Sequence, residues 1–121
     1  MTYTISRKIY IRTQKEGIHR YPAAATDPKL SAVSFLANPH RHIFHFHVAI
    51  SVEHTNRDLE FILVKRNIED WLSTVYDIDY KSCEMMAEDL LQYLRTCYGA
   101  ERQYTIDVSE DNENGAVIQW N

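Results

Sequence analysis

The stretch that most constrains this chain is His42–His54, where Ile43, Phe44, Phe46, Val48, Ile50 and Val52 all favour extended backbone. A strand this apolar has to lie in a sheet, so its partners must be sought on both sides in the sequence. Upstream, Tyr3–Arg12 alternates Tyr3, Ile5 and Tyr10 with polar residues and reads as a strand. Downstream, Tyr104–Val108 alternates likewise, Asp111–Gly115 turns, and Ala116–Trp120 closes a terminal hairpin.

Between these strands the period changes. Thr55-Asn56-Arg57-Asp58 is a turn, and Leu59–Val64 is a shorter apolar segment. Lys65–Val75 then places Ile68, Trp71, Leu72 and Val75 at helical spacing, which puts Lys65 and Arg66 at a helix start, where cations sit poorly with the dipole. Asp77–Lys81 breaks this helix. Ser82 is a suitable N-cap for a second one, with Glu84 in its first turn, Met86, Leu90, Leu91, Leu94 and Tyr98 as its apolar stripe, and Gly99 as its stop. Lys15–Pro39 holds all three prolines and reads as a long irregular loop, with a short strand or helical turn at Val33–Leu36. The expected class is α+β, in the order ββααββ, with one antiparallel sheet carrying both helices on one face. At 121 residues, 1–121 is read as a single domain.

Composition narrows the function classes. A net charge of −4 argues against general nucleic-acid binding. The longest apolar stretches, such as Val48–Val52, are too short to span a bilayer, and Met1–Tyr10 lacks the apolar core of a signal peptide. Cys83 and Cys97 fall on one predicted helix, ~21 Å apart, too far to pair. A reducing, cytoplasmic location is the expectation.

Of six histidines, four (His40, His42, His45 and His47) lie within eight residues. Two histidines at i and i+2 on a strand project to the same face, close enough to share one ion. His40 and His42 are such a pair, and His19 in the long loop is the natural third ligand. Three neutral imidazoles with an open position are a common arrangement for catalytic zinc. His-x-His pairs also occur on exposed strands that bind nothing, so spacing alone leaves both readings open. His45 and His47 fall on the opposite face, as surface residues, interface contacts or partners of the ligands. His54 precedes the turn and is read as solvated.

Several motifs carry a resemblance in register. His40-Arg41-His42-Ile43-Phe44 resembles the His-Gly-His-(Asn/Ser)-(Tyr/Phe) strand of the 6-pyruvoyltetrahydropterin synthase and 6-carboxytetrahydropterin synthase family. Gly17-Ile18-His19-Arg20 resembles its Ala-Ala-His-Arg, and Glu60-Phe61-Ile62-Leu63-Val64-Lys65 its Asp-Phe-x-x-Leu-Lys. Ser82-Cys83-Glu84-Met85-Met86-Ala87 resembles its Pro-Thr-(Ala/Ser)-Glu-Asn-Leu-Ala, and Val108-Ser109-Glu110 the closing Val-x-Glu-Thr. The resemblance implies a T-fold whose subunits close a barrel as trimers or hexamers. It also implies zinc on His19, His40 and His42, and a pterin- or purine-like ligand whose edge Glu110 and Glu84 would hold. The chemistry implied is of lyase type, as in queuosine biosynthesis.

The catalytic apparatus of that family is not matched. Leu36 stands where its cysteine would be, and Thr74–Lys81 supplies Asp77 and Asp79 but no histidine. Arg41 replaces the glycine of His-Gly-His, which adds bulk and charge at the edge of the site. Cys83, at a helix N-terminus whose dipole would lower its pKa and favour a thiolate, is a candidate substitute, or else an ordinary small buried residue. Glu16 and Asp27 are further candidate bases in the loop. Three classes follow: a metal-dependent enzyme with an altered proton relay, a binding protein without turnover, and a structural oligomer.

Overall fold

The computed structural model describes residues 4–121; Tyr3, the first residue of the predicted opening strand, lies outside them. Among the described residues the strands and α-helices follow in the order β1 (Lys8–His19), β2 (His40–Ser51), α1 (Phe61–Thr74), α2 (Cys83–Tyr98), β3 (Tyr104–Glu110) and β4 (Asn114–Trp120). This is the expected α+β order ββααββ. The strands form one antiparallel sheet in the order β1-β2-β3-β4. No described helix is long and apolar enough to cross a membrane.

Strand alternation decides which face is buried. Ile11 on β1, Phe44, Phe46, Val48 and Ile50 on β2, and Tyr104, Ile106 and Val108 on β3 all point to one side and are buried. There they meet Val64, Ile68, Trp71 and Leu72 of α1 and Met86, Ala87, Leu90, Leu91 and Leu94 of α2, each set spaced along one helical stripe. Both helices therefore cover the same face. Trp71 stacks between Tyr76 and Tyr93, with ring centroids 4.3 and 5.1 Å away. Ser82 caps α2 by accepting from the Met85 N–H at 3.1 Å, and Gly99 ends it with φ +107°, a conformation that strains any side chain.

Several boundaries differ from the sequence reading. β1 starts at Lys8, so Thr4–Arg7 of the predicted opening strand lie before it. Lys15–His19 is not loop but the second half of β1, paired residue by residue with His40–Phe44. Its polar composition hides the strand, because this stretch is held by the backbone ladder of β2 and only its last residue is buried. The rest of the predicted loop contains two 3₁₀ segments, Pro22–Ala25 and Pro28–Ala37, the second capped by Asp27, whose carboxylate accepts from the Lys29 N–H. Finally, Phe61–Val64 is the first turn of α1. Phe61, Ile62 and Leu63 are half exposed and only Val64 points inward, so an apolar run masks the helical period there. Lys65 and Arg66 thus sit one turn in, not at the helix start.

Candidate metal centre

The register of β1 against β2 sets His19 directly opposite His40, with His42 two residues further along β2. All three project to the core face, at the end of the row that continues with Phe44. Their ring centroids stand 4.5 Å (His19–His40), 5.4 Å (His19–His42) and 5.1 Å (His40–His42) apart. Each offers one ring nitrogen, and the three nitrogens lie within 4.8 Å of one another. The Phe44 ring closes the inner side, 5.0 Å from His19 and 5.7 Å from His42. His19 comes from a strand end rather than from a loop, so its reach to the other two is fixed by strand pairing.

The hydrogen bonds of the rings show which nitrogen faces away from the cluster. His19 Nδ1 lies 2.7 Å from the Lys81 carbonyl oxygen, His40 Nδ1 2.8 Å from that of Asn38, and His42 Nδ1 2.7 Å from Asp111 Oδ2. Carbonyl and carboxylate oxygens only accept, so each Nδ1 is the donor and carries the hydrogen. A neutral imidazole with its hydrogen on Nδ1 presents a bare lone pair on Nε2. The Nε2 atoms of His19 and His42 are buried and have no hydrogen-bond partner among the described residues. Buried acceptors without partners cost roughly 1–3 kcal/mol each. Three oriented imidazoles with outward-tied Nδ1 atoms are what a divalent cation requires of histidine ligands, so these residues can hold a metal ion.

Asp111 escaped the sequence reading, in which it is only a turn residue. It adopts φ +54° with Asn112 at +60°, a tight left-handed pair that joins β3 to β4. Its N–H donates to the Ile43 carbonyl at 2.8 Å, and its Oδ1 accepts from the Ile43 N–H at 2.9 Å, leaving Oδ2 for His42. The Ile43 N–H and then the His42 ring hold this carboxyl below the usual carboxylate range. The only sequence signal is an aspartate at a position where asparagine, aspartate or glycine tolerates positive φ. Asp111→Asn keeps the turn and an acceptor but removes the charge behind His42. It is expected to weaken zinc binding roughly 10- to 100-fold, read by chelator competition, with the metal-free melting curve little changed.

Glu110, the last residue of β3, faces the same site. Its Oε2 is 3.0 Å from His42 Nε2 and its Oε1 3.9 Å from His19 Nε2. The Cys83 thiol lies 4.0 Å from Oε1. Burial, followed by the negative charges of Glu110, Glu84 and Asp107, pushes this thiol up to about 12. That reverses the expectation of a lowered pKa at the helix start, because desolvation and three carboxylates outweigh the dipole. Glu84 is exposed in the first turn of α2. Glu84 and Glu110 border, with His19 and His40, a cavity of about 500 Å³ whose apolar wall includes Leu36 and whose rim carries Arg20, Tyr21 and Tyr80.

Other residues singled out from sequence lie elsewhere. Arg41 points away from the site, to the outer face of the sheet, where it pairs with Glu16 at 2.6 Å. The expected bulk at the site's edge is absent because side chains alternate along β2, and Glu16 is engaged as that partner. Asp79 is held by Arg20 through two hydrogen bonds of 3.2 and 3.0 Å, with Tyr80 against the guanidinium. Asp77 accepts from the Asp79 N–H. His45 and His47 border a separate concavity of about 550 Å³ on the outer face, with Arg12 and Asp107. His54 is solvent-exposed and accepts from the Asn56 N–H.

Compared with known proteins, the chain matches no protein-family model and no curated protein sequence.

Proposed function

We propose that this protein holds zinc on His19, His40 and His42 beside a pocket for a pterin- or purine-like heterocycle, on which it performs metal-assisted, lyase-type chemistry. The observation that carries the reading is the three-imidazole cluster whose Nδ1 atoms are all tied back to oxygens. The ββααββ order and the motifs that resemble the 6-pyruvoyltetrahydropterin and 6-carboxytetrahydropterin synthases support the substrate class. Bound zinc supplies Lewis-acid polarisation of a substrate oxygen. The protein's own groups do the rest. Glu110 and Glu84 accept hydrogen bonds from ring N–H and amino groups, side by side, as carboxylates do well. Tyr21 and Tyr80 offer flat faces at the rim, where a heterocycle can stack. The cavity size falls in the range of small-molecule pockets.

A second reading, binding without turnover, is favoured by one specific set of contacts. Leu36 cannot move a proton, Cys83 stays a neutral thiol, and Asp79 is occupied by Arg20. Sequestration or sensing of a pterin, deazaguanine or guanine nucleotide suits a pocket of this kind. Zinc-loaded protein incubated with a panel of pterins, deazaguanines and guanine nucleotides distinguishes the two by mass spectrometry. Conversion of a retained compound supports the enzyme, and recovery of it unchanged supports the binder. No retention of any member, by wild type as by Glu110→Ala, contradicts both.

The same reading extends to assembly and location. Among the described residues β1 and β4 are the two edges of the sheet, and β1, twelve residues long, turns the N–H and C=O groups of alternate residues outward without a partner. Pairing of these edges between copies would close a T-fold barrel as a trimer or hexamer, with the outer face inside. Two free cysteines suit a cytoplasmic location.

A further inference from the structure

We infer that Glu110 is the fourth donor of the cation while the pocket is empty, and that a ligand opens the coordination shell by drawing this carboxylate away. The inference rests on the zinc reading above and adds to it a closed resting state.

A ring nitrogen of His42 and a carboxylate oxygen of Glu110 face each other without a hydrogen bond between them. His42 turns Nδ1 to Asp111 Oδ2, 2.7 Å away, so Nε2 is the nitrogen that faces the site. Glu110 Oε2, an acceptor, lies 3.0 Å away. The contact is close yet lacks hydrogen-bond geometry, and His42 Nε2 is buried without a partner. A cation between the two atoms would be shared by both lone pairs. The second oxygen, Oε1, stands 3.9 Å from His19 Nε2, also buried and unpartnered. Donors bound at 2.0–2.1 Å around a tetrahedral ion lie about 3.4 Å from one another. Oε2 stands near that spacing from His42 Nε2, at 3.0 Å, and the other oxygen, Oε1, lies somewhat beyond it from His19 Nε2, at 3.9 Å.

The fold holds the carboxylate there. Glu110 pairs with Phe44 in the β2–β3 ladder, one step from His42 on the same face. Its neighbour Asp111 is anchored to Ile43 on both backbone and side chain. Glu110 also borders the cavity, with Cys83 and Glu84 beside it. One carboxylate thus stands between the cation and the ligand space. A heterocycle that offers N–H groups to Glu110 competes directly with the metal for it. The chain exposes a reactive coordination position only when it is occupied.

The test uses the full chain loaded with Co²⁺, whose visible absorption reports the donor set, titrated with thiocyanate as a small external donor. In wild type, Glu110 fills the fourth position, so the bands resist thiocyanate. In Glu110→Ala and in the isosteric Glu110→Gln the position is open, and the bands respond at concentrations lower by roughly tenfold or more. Cobalt affinity, read by chelator competition, falls in both variants. Equal thiocyanate response and equal affinity in all three proteins overturn the inference and leave the zinc reading standing. Failure of the wild type to take up Co²⁺ or Zn²⁺ at all overturns both.

Discussion

Phe44→Ala is expected to lower the unfolding free energy of the metal-free protein by roughly 3–5 kcal/mol, the cost of removing a large aromatic ring from a closed core. Phe44 is 0% exposed and stands where sheet, helices and histidine cluster meet. On one side it packs in the core with Phe46, Ile78 and the helix residues; on the other it faces the rings of His19 and His42. The cavity left behind would therefore cost transfer free energy and also loosen the wall that keeps both imidazoles oriented. Chemical denaturation followed by circular dichroism measures the first effect, and zinc affinity of the folded fraction the second. A loss below about 1 kcal/mol would mean that the aromatic row is not packed as described.

The largest effect on binding is expected from His42→Ala. Apparent free energies for zinc held by small protein sites run to about 10–16 kcal/mol; shared over four donors, each is worth about 2.5–4 kcal/mol, a loss on the order of 100- to 1,000-fold in affinity. The same substitution also leaves the Asp111 carboxylate without its ring partner. His45→Ala is the matched control: it lies three residues away on the same strand, but on the outer face, beside Ser109 and Asp107 rather than the cluster. Its zinc affinity should equal that of the wild type. Equal losses in the two variants would show that histidine content, not the geometry of the core face, governs metal uptake.

How legible these features were depended on whether a residue's role is local. The ββααββ order followed from period alone, because Ile68, Trp71 and Leu72, or Met86, Leu90 and Leu94, repeat on the stripe that the sheet covers. Ser82 and Gly99 marked α2 because a cap and a left-handed stop are decided within a few residues. His40 and His42 were paired by the period of a strand. The second half of β1 was not legible: Lys15, Glu16 and Gly17 carry no apolar alternation, and their strand character comes from the ladder to β2, a long-range fact. Asp111 was missed for the same reason, since its partner lies 69 residues away in sequence. The direction of the Cys83 shift was misjudged because a helix terminus is local, whereas burial and the approach of Glu110 are set by tertiary packing.

The central claim, that three Nε2 atoms converge on one cation, is tested most directly by a crystal of zinc-loaded protein and an anomalous difference map recorded above the zinc edge. The expected map has a single peak 2.0–2.1 Å from Nε2 of His19, His40 and His42, with each Nδ1 still bonded to Lys81, Asn38 or Asp111. A map with no peak among the three rings at saturating zinc, or a peak held by other residues, would contradict it.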